Sequence, residues 1–303
     1  MAAQLRAVRA RIRAVKSIAK ITRAQELIAS SRIVKAQQRT RAAEPYAREL
    51  TTAVEAVVSR SSTISHPMIN EPASVQRSAA LIITSDGGFA GAYNANVLRE
   101  SARLRERNHE NGAVTINYVT GRKGIAWHRF RNLDVEAEWS GFSAQPSYAQ
   151  AEEVAMALLD AFEKDAKDGG VDEIYLVSTE FVSMLTQRPA VRRLLPMEIE
   201  EREGERPGGA LPSYEFEPST DVVLDALLPQ YIASRIYYAM LEAAASELAA
   251  RRRAMKAATD NANDLLDRLT REANNARQAE ITQEISEIVG GSNALAEANA
   301  GSE

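Results

Sequence analysis

Cysteine is absent from the 303 residues, which excludes disulfides, thiolate metal sites and cysteine nucleophiles. The three histidines, His66, His109 and His128, are scattered, so we expect no histidine-based metal site. No apolar run is long enough to span a bilayer, so membrane association has to depend on a partner and not on direct insertion. Aromatic residues make up only 6%, which is typical of long alanine-rich helices.

The formal net charge of −4 gives no bulk electrostatic signal for nucleic acid binding. The length allows two domains with a real core. We divide the chain into an N-terminal coiled-coil helix over residues 1–60, an α/β globular domain over 77–200 and a C-terminal coiled-coil helix over 221–290.

The C-terminal helical pattern runs from about Asp221 to Val289, with no proline after Pro229 and no glycine before Gly290. It carries a heptad seam typical of coiled coils. One line of the seam is Leu241, Leu248, Met255, Ala262, Leu269 and Ala276, and the flanking members are Ala244, Ala258 and Leu265 with Ala245, Leu266 and Ala273. An unbroken helix of this length measures about 100 Å, more than an ordinary domain can bury. It must therefore pack on something outside that domain.

The N-terminal pattern is a second seam, which extends to about Arg41 and, past Pro45, towards Val58. Its members are Leu5, Ile12, Ala19 and Ile33 on one heptad position, with Val8, Val15, Thr22, Ala29 and Ala36 on the other. Because a whole domain separates the two seams, antiparallel packing is the simplest arrangement. The sequence thus predicts a long antiparallel coiled coil.

Basic residues dominate the first helix, where Glu26 is the one acidic residue before Glu44. A mitochondrial presequence, a nucleic-acid arm and a solvated helix face are three alternatives. The heptad register continues into the body of the protein, and no aromatic residues are interleaved with the basic ones. Since so much like charge on one helix repels itself, we favour an acidic protein partner.

The middle of the chain alternates short apolar runs with helical stretches, which predicts a mostly parallel, Rossmann-like sheet. The expected strands are 79–84, 114–119, 133–139 and 174–178, and the expected helices are 95–107, 121–130 and 147–167. A hairpin or edge strand is expected within 182–195. Residues 61–76 are interpreted as a linker and 198–221 as an acidic loop.

A glycine-rich turn, Ser85 to Asn94, follows the first expected strand. Such turns can hold phosphate, yet this one contains neither G-x-G-x-x-G nor a Gly-Lys-Ser/Thr sequence. We favour a structural interpretation, in which the glycines allow a tight turn and Asp86 caps the turn or a helix. No catalytic, cofactor or metal site is predicted.

Three stretches of the chain are distinctive enough to compare with known families. They are residues 11–24 (RIRAVKSIAKITRA), residues 84–91 (TSDGGFAG) with Asn94, and residues 255–262 (MKAATDNA) followed by 276–291 (ARQAEITQEISEIVGG). Together they resemble the gamma subunit of F-type ATP synthases, of the bacterial type. Small departures from the family pattern are Gly87, Ala92 and Ser292, and they concern local packing.

The resemblance implies a non-catalytic central rotor-stalk subunit of the proton-driven synthase. Its partners would be three alpha and three beta subunits, the epsilon subunit and the membrane rotor ring of c subunits, at the cytoplasmic face of the bacterial plasma membrane. The expected contacts with the beta loops and collar are Gln25, Arg251, Gln278, Thr282 and Glu284. The expected bearing tip is Ile281, Ile285 and Ile288. No cofactor is implied, and ordinary coiled-coil positions are the alternative for each of these residues.

Two further expectations concern segments that lie outside the two predicted coiled-coil helices. The polar stretch 163–170 is expected to contact the rotor ring or epsilon, and the tail 293–303 extends past the family signature. Two other functions remain open: a coiled-coil scaffold whose α/β domain docks another partner, and an enzyme that uses the Gly87–Gly91 turn for a phosphorylated ligand.

Overall fold

The computed structural model describes residues 2–60, 68–165, 168–197 and 220–300. Residues 198–219 of the predicted loop 198–221 lie outside this part, as do part of the linker, two residues of the 163–170 stretch and the last residues of the tail. The elements, in chain order, are α1 (Ala2–Arg60), β1 (Arg77–Ile83), α2 (Tyr93–Glu110), β2 (Val114–Thr120), α3 (Arg122–Phe130), β3 (Ala137–Trp139), α4 (Tyr148–Glu163), β4 (Glu173–Phe181), β5 (Gln187–Leu195) and α5 (Thr220–Ala300).

The five strands form one sheet in the order β3-β2-β1-β4-β5. The pairs β1/β2, β1/β4 and β2/β3 are parallel, and the edge strand β5 pairs antiparallel with β4. In the centre of the sheet, Ala79 of β1 is aligned with Ile116 of β2 and Ile174 of β4. This arrangement confirms the predicted mostly parallel sheet and the hairpin or edge strand expected within 182–195.

Side chains of β1 alternate between two cores, as expected for a strand that is buried on both faces. Ala80 and Ile82 pack beneath α2 and α3. Leu81 and Ile83 pack on the other face, in a core that also contains apolar residues of α1, α4 and α5. The sheet is therefore the middle layer of a three-layer arrangement.

The chain divides into two compact units, residues 1–28 with 253–303 and residues 29–252. We call the first the helical unit and the second the sheet unit. Each of the two long helices contributes to both.

In the sheet unit, α1 and α5 run antiparallel. Ile33 and Ala36 of α1 pack with Ala245, Leu248 and Ala249 of α5, while α1 residues 39–46 line a cavity with α5 residues 234–238. Residue numbers thus rise along one helix as they fall along the other.

In the helical unit, the two helices touch through small and polar seam residues. The hydroxyl oxygens of Thr22 and Thr259 lie 2.7 Å apart, and both threonines are buried. Predicted seam residues that are buried in this unit are Leu5, Val8, Met255, Ala262 and Leu269. Of the two adjacent predicted seam residues, Leu265 is 38% exposed and Leu266 is half-buried.

Two predicted elements are shorter in the structure. The strand expected over 133–139 covers only Ala137–Trp139, because the Leu133 amide donates to the His128 carbonyl and closes the end of α3. The helix expected over 147–167 ends at Glu163, and its start is fixed by a capping box between Ser147 and Gln150. Both long helices continue through their prolines, Pro45 and Pro229.

Candidate functional site

The glycine-rich turn lies where β1 ends and α2 begins, and its own side chains fill it. The Asn94 side chain accepts a hydrogen bond from the Ser85 amide at 2.9 Å, and the Ser85 hydroxyl donates to the Gly87 carbonyl at 2.7 Å. A Cβ atom on Gly87 would lie 2.6 Å from a terminal nitrogen of Arg251, so a side chain there would displace that guanidinium. This geometry agrees with the structural interpretation of the turn.

Asp86 connects three loops at this end of the sheet. One carboxylate oxygen accepts from the Arg122 amide at 3.1 Å, and the other accepts from the amides of Gly141 and Ser143 at 2.9 and 3.0 Å. Because Arg122 is the first residue of α3, Asp86 caps that helix. Burial raises the pKa of Asp86, but the hydrogen bonds from Ser143, Gly141 and Arg122 outweigh it and hold the pKa below its ordinary value. Asp86 therefore acts as an ionised structural anchor.

A buried ion pair joins α5 to the same loops. Glu247, which is 2% exposed, pairs with Arg251 one turn later, and the Ser143 hydroxyl donates to Glu247 at 3.4 Å. The Arg251 Nε donates to the Gly88 carbonyl at 3.1 Å. Burial raises the pKa of Glu247, and Arg251 counteracts this shift.

Arg251 was predicted to contact a partner, and its side chain is only 15% exposed. Its guanidinium is occupied by Glu247 and the Gly88 carbonyl within the sheet unit. The expected partner contact stays a prediction.

The other predicted contact residues, Gln25, Gln278, Thr282 and Glu284, are exposed in the helical unit. Gln278 and Thr282 lie one turn apart, and the Thr282 hydroxyl donates to the Gln278 carbonyl at 2.9 Å. These four side chains are available for contact, and their role is likewise still a prediction.

The three isoleucines of the predicted tip are exposed on α5. Ile281, Ile285 and Ile288 are 45%, 56% and 72% exposed, and spacings of four and three place them on one side of the helix. No side chain described between residues 270 and 292 is buried. The end of α5 is thus a long helix surface with an apolar stripe.

Sequence reasoning missed a matching set of exposed apolar residues on α1. They are Ile18, Ile21, Leu27 and Ile28, each 45% exposed or more. The signal was available, because these residues are apolar although they lie outside the heptad seam.

The basic face of α1 has few acidic neighbours of its own. Arg23 pairs with Glu26 at 2.8 Å and Arg48 with Glu44 at 3.7 Å. Nine further cations of α1 are exposed and make no ion pair with a carboxylate of the described residues: Arg9, Arg11, Arg13, Lys16, Lys20, Arg32, Lys35, Arg39 and Arg41. The charge on this face is therefore uncompensated within the described part of the chain.

Within the described ranges, no cluster of three or more histidine, aspartate or glutamate side chains could hold a metal ion. The helices in the described part of the chain include no candidate transmembrane span. The most distinctive features are thus surfaces: an exposed apolar stripe and an uncompensated basic face.

A family profile described as ATP synthase matches residues 4–295. The ATP synthase gamma chain of Acidothermus cellulolyticus is 60% identical over 295 residues, covering 97% of this chain and 98% of the relative. The chain belongs to the ATP synthase gamma chain family. The gamma chain of a Nocardioides species is 58% identical over 305 residues and covers all of both chains. These relatives confirm the family resemblance of the sequence, and a gamma chain is a non-catalytic subunit of an ATP synthase.

Solved structures of greater evolutionary distance share the fold. A chain of the Euglena gracilis mitochondrial ATP synthase, from an OSCP/F1/c-ring structure, has a TM-score of 0.70 at 16% identity and covers 97% of this gamma chain and 95% of its own length. A chain from the central stalk and c-ring of the Tetrahymena thermophila mitochondrial enzyme has a TM-score of 0.57 at 20% identity, covering 78% of this chain and 99% of its own. The predicted fold class, terminal helices around a Rossmann-like domain, is confirmed.

Proposed function

We propose that this gamma chain is the central rotor-stalk subunit of a proton-driven ATP synthase. The helices of residues 1–60 and 221–290 form the shaft inside a ring of three alpha and three beta subunits. The α/β domain of residues 77–200 stands on the membrane ring of c subunits, beside epsilon. The complex lies at the cytoplasmic face of a bacterial plasma membrane, and the chain is held there through its partners.

The observation that carries this proposal is the exposed apolar surface of the helical unit. Eight large apolar side chains are exposed by 45% or more: Ile18, Ile21, Leu27, Ile28, Ile281, Ile285, Ile288 and Val289. Apolar surface of this extent marks a protein interface. Because these residues belong to both long helices of the unit, a surrounding sleeve fits them better than a partner on one side.

The positive charge of α1 also supports enclosure by surrounding subunits. The exposed cations Arg9, Arg13 and Lys16 of α1 make no ion pair with described carboxylates, so acidic loops of the beta subunits are suitable neighbours. We assign contacts with those loops and the collar to Gln25, Arg251, Gln278, Thr282 and Glu284. The bearing is assigned to Ile281, Ile285 and Ile288.

The mechanical role follows from the asymmetry of such a shaft. Each of the three beta subunits faces a different side of the two helices, so each forms different contacts with them. Differential contacts bias each catalytic site towards a different conformation. Rotation driven by proton flow through the membrane ring then takes every site in turn through binding, synthesis and release.

Co-assembly tests this function. The purified full chain is mixed with alpha and beta subunits of a matching bacterial synthase, and size-exclusion chromatography and ATP hydrolysis are measured. We expect a complex of three alpha, three beta and one gamma chain, with hydrolysis that depends on the added chain.

A variant with Ile281→Ser, Ile285→Ser and Ile288→Ser should form less of this complex. The matched control carries Gln283→Ser and Glu287→Ser on the same turns of α5 and should assemble normally. A wild-type chain that elutes apart from alpha and beta and leaves hydrolysis unchanged would contradict the rotor proposal and favour the scaffold alternative.

A further inference from the structure

A groove of about 690 Å³ lies between α2 and α3. It is on the face of the sheet opposite to α4 and α5. We call it the α2–α3 groove, and its principal lining residues are Leu98, Arg99, Arg105, Lys123, Trp127 and Arg131. None of the residues assigned to the rotor function lines it.

The charge of the α2–α3 groove is of one sign. Four cationic side chains line it, and no carboxylate does. Arg105, Lys123 and Arg131 make no ion pair with the described carboxylates, while Arg99 donates to the Asn96 side chain at 3.2 Å. A concave surface lined by uncompensated cations concentrates anions.

Two arginines outside the groove on the same helices have acidic partners. Arg103 of α2 pairs with Glu100 at 2.7 Å, and Arg129 of α3 pairs with Glu138 at 2.6 Å. Neither Arg103 nor Arg129 lines the groove. Arg103 and Arg129 are therefore suitable paired controls for the unpaired cations of the groove.

The floor of the groove is apolar. Leu98 and the half-buried Trp127 and Leu133 contribute to it. The Arg131 guanidinium lies over the Trp127 ring, 5.5 Å from its centroid. This stacking holds the planar donors of the guanidinium in place before any ligand arrives.

We propose that the α2–α3 groove binds a phosphate-bearing anion that also carries a planar or apolar group. Arginine forks bind phosphate oxygens in pairs, and the apolar floor accepts the rest of the ligand. The volume lies within the usual range of small-ligand sites. A nucleotide and a phospholipid headgroup share this chemistry, and the experiment distinguishes them.

Trp127 offers a direct readout, because the chain contains only two tryptophans, Trp127 and Trp139. In the full-length Trp139→Phe chain, the fluorescence of Trp127 is titrated with ATP, with tripolyphosphate and with vesicles of phosphatidylcholine with or without phosphatidic acid. Equilibrium dialysis of ATP gives the affinity independently of the fluorescence amplitude. We expect a saturable change with one phosphate-bearing probe and none with phosphatidylcholine alone.

The binding variant carries Arg105→Gln and Arg131→Gln, and it should weaken affinity by roughly tenfold or more, since each lost contact is charge-assisted. The matched control carries Arg103→Gln and Arg129→Gln, removes the same charge from the same region and should bind as wild type. Unchanged thermal unfolding of both variants shows that the fold is intact.

Saturation by ATP or tripolyphosphate identifies a soluble ligand, and saturation only by phosphatidic acid vesicles identifies a lipid headgroup. The proposal is overturned if no probe binds, or if the control variant weakens binding as much as the groove variant, since that result shows diffuse attraction to positive charge. None of these outcomes depends on alpha or beta subunits, so the test is independent of the rotor assignment.

Discussion

The helix α5 has opposite surroundings in the two units. In the sheet unit, successive turns of α5 carry fully buried side chains. Leu224, Leu228, Ile232 and Ile236 have no exposed surface. In the helical unit, Leu269 is the last buried side chain among those described up to residue 292, and Ile288 is 72% exposed. The apolar side chains of α5 are thus covered by the chain itself in the sheet unit, whereas those near its end in the helical unit remain exposed.

This difference shows how one helix serves two purposes. Burial of large aliphatic side chains fixes α5 within the sheet unit, because apolar burial is the main source of stability. The helical unit instead uses a narrow seam of alanine, threonine and a few larger residues, and it leaves its remaining apolar residues outside. We infer that those residues are kept for partners.

The largest expected effect is a difference in the free energy of unfolding between the same isoleucine-to-alanine substitution in the sheet unit and in the helical unit. Ile232→Ala creates a cavity in the buried core and should lower the free energy of unfolding by about 2–5 kcal/mol. Ile285→Ala removes a side chain that is 56% exposed and should change it by no more than about 0.5 kcal/mol. Urea unfolding of the isolated full-length variants measures both, and equal losses would remove the basis of the comparison.

The Asp86→Asn variant compares a hydrogen-bonded carboxylate of the sheet unit with an exposed carboxylate of the helical unit. The variant loses charge-assisted bonds to three backbone amides and should be destabilised by about 1–3 kcal/mol near neutral pH. Asp260, which pairs with Lys256 on the surface of the helical unit, is the control, and Asp260→Asn should cost no more than about 0.5 kcal/mol.

The effect of Asp86 has a defined pH dependence. Folding lowers the pKa of Asp86, so its contribution is present above the ordinary value of 3.8 and is lost as the pH falls through the lowered value. The difference between wild type and Asp86→Asn should therefore shrink in acid. A difference that is constant across this pH range would show that the ionised form is not responsible.

The smallest effect concerns the seam of the helical unit. Thr22→Val removes the hydroxyl contact with Thr259, and Thr259 keeps its bond to the Met255 carbonyl at 2.9 Å. We expect a loss of about 1 kcal/mol, compared with almost none for Thr270→Val at an exposed position of α5. Hydrogen exchange of the amides around Thr259 measures the change, and equal exchange in both variants would contradict a specific seam contact.

Periodicity was sufficient to predict both long helices and most of the sheet. The heptad positions Leu248 and Ile33 are buried, and the apolar run around Leu81 is the central strand. The extension of α1 beyond Pro45 was less certain from sequence, because an internal proline normally ends or kinks a helix. Packing of Val54 and Val57 in the sheet-unit core stabilises the helix beyond Pro45.

The contacts around Asp86 could not be predicted beyond a capping role. Its partners Arg122, Gly141 and Ser143 are 36–57 residues away, and only the fold brings their amides together. The link from Arg251 to the Gly88 carbonyl spans 163 residues. Contacts between such distant positions leave no local pattern in one sequence.

Labelling of a single cysteine tests the central claim most directly, because the wild-type chain contains none. The Ile285→Cys variant is treated with a maleimide, alone and after assembly with alpha and beta subunits, with Arg129→Cys at an exposed position of α3 as the control. We predict rapid labelling of the isolated Ile285→Cys chain, strong protection in the complex, and equal labelling of the control in both states. Equal labelling of Ile285→Cys in the isolated and assembled states would show that the exposed end of α5 is not enclosed, and would contradict the rotor-shaft account.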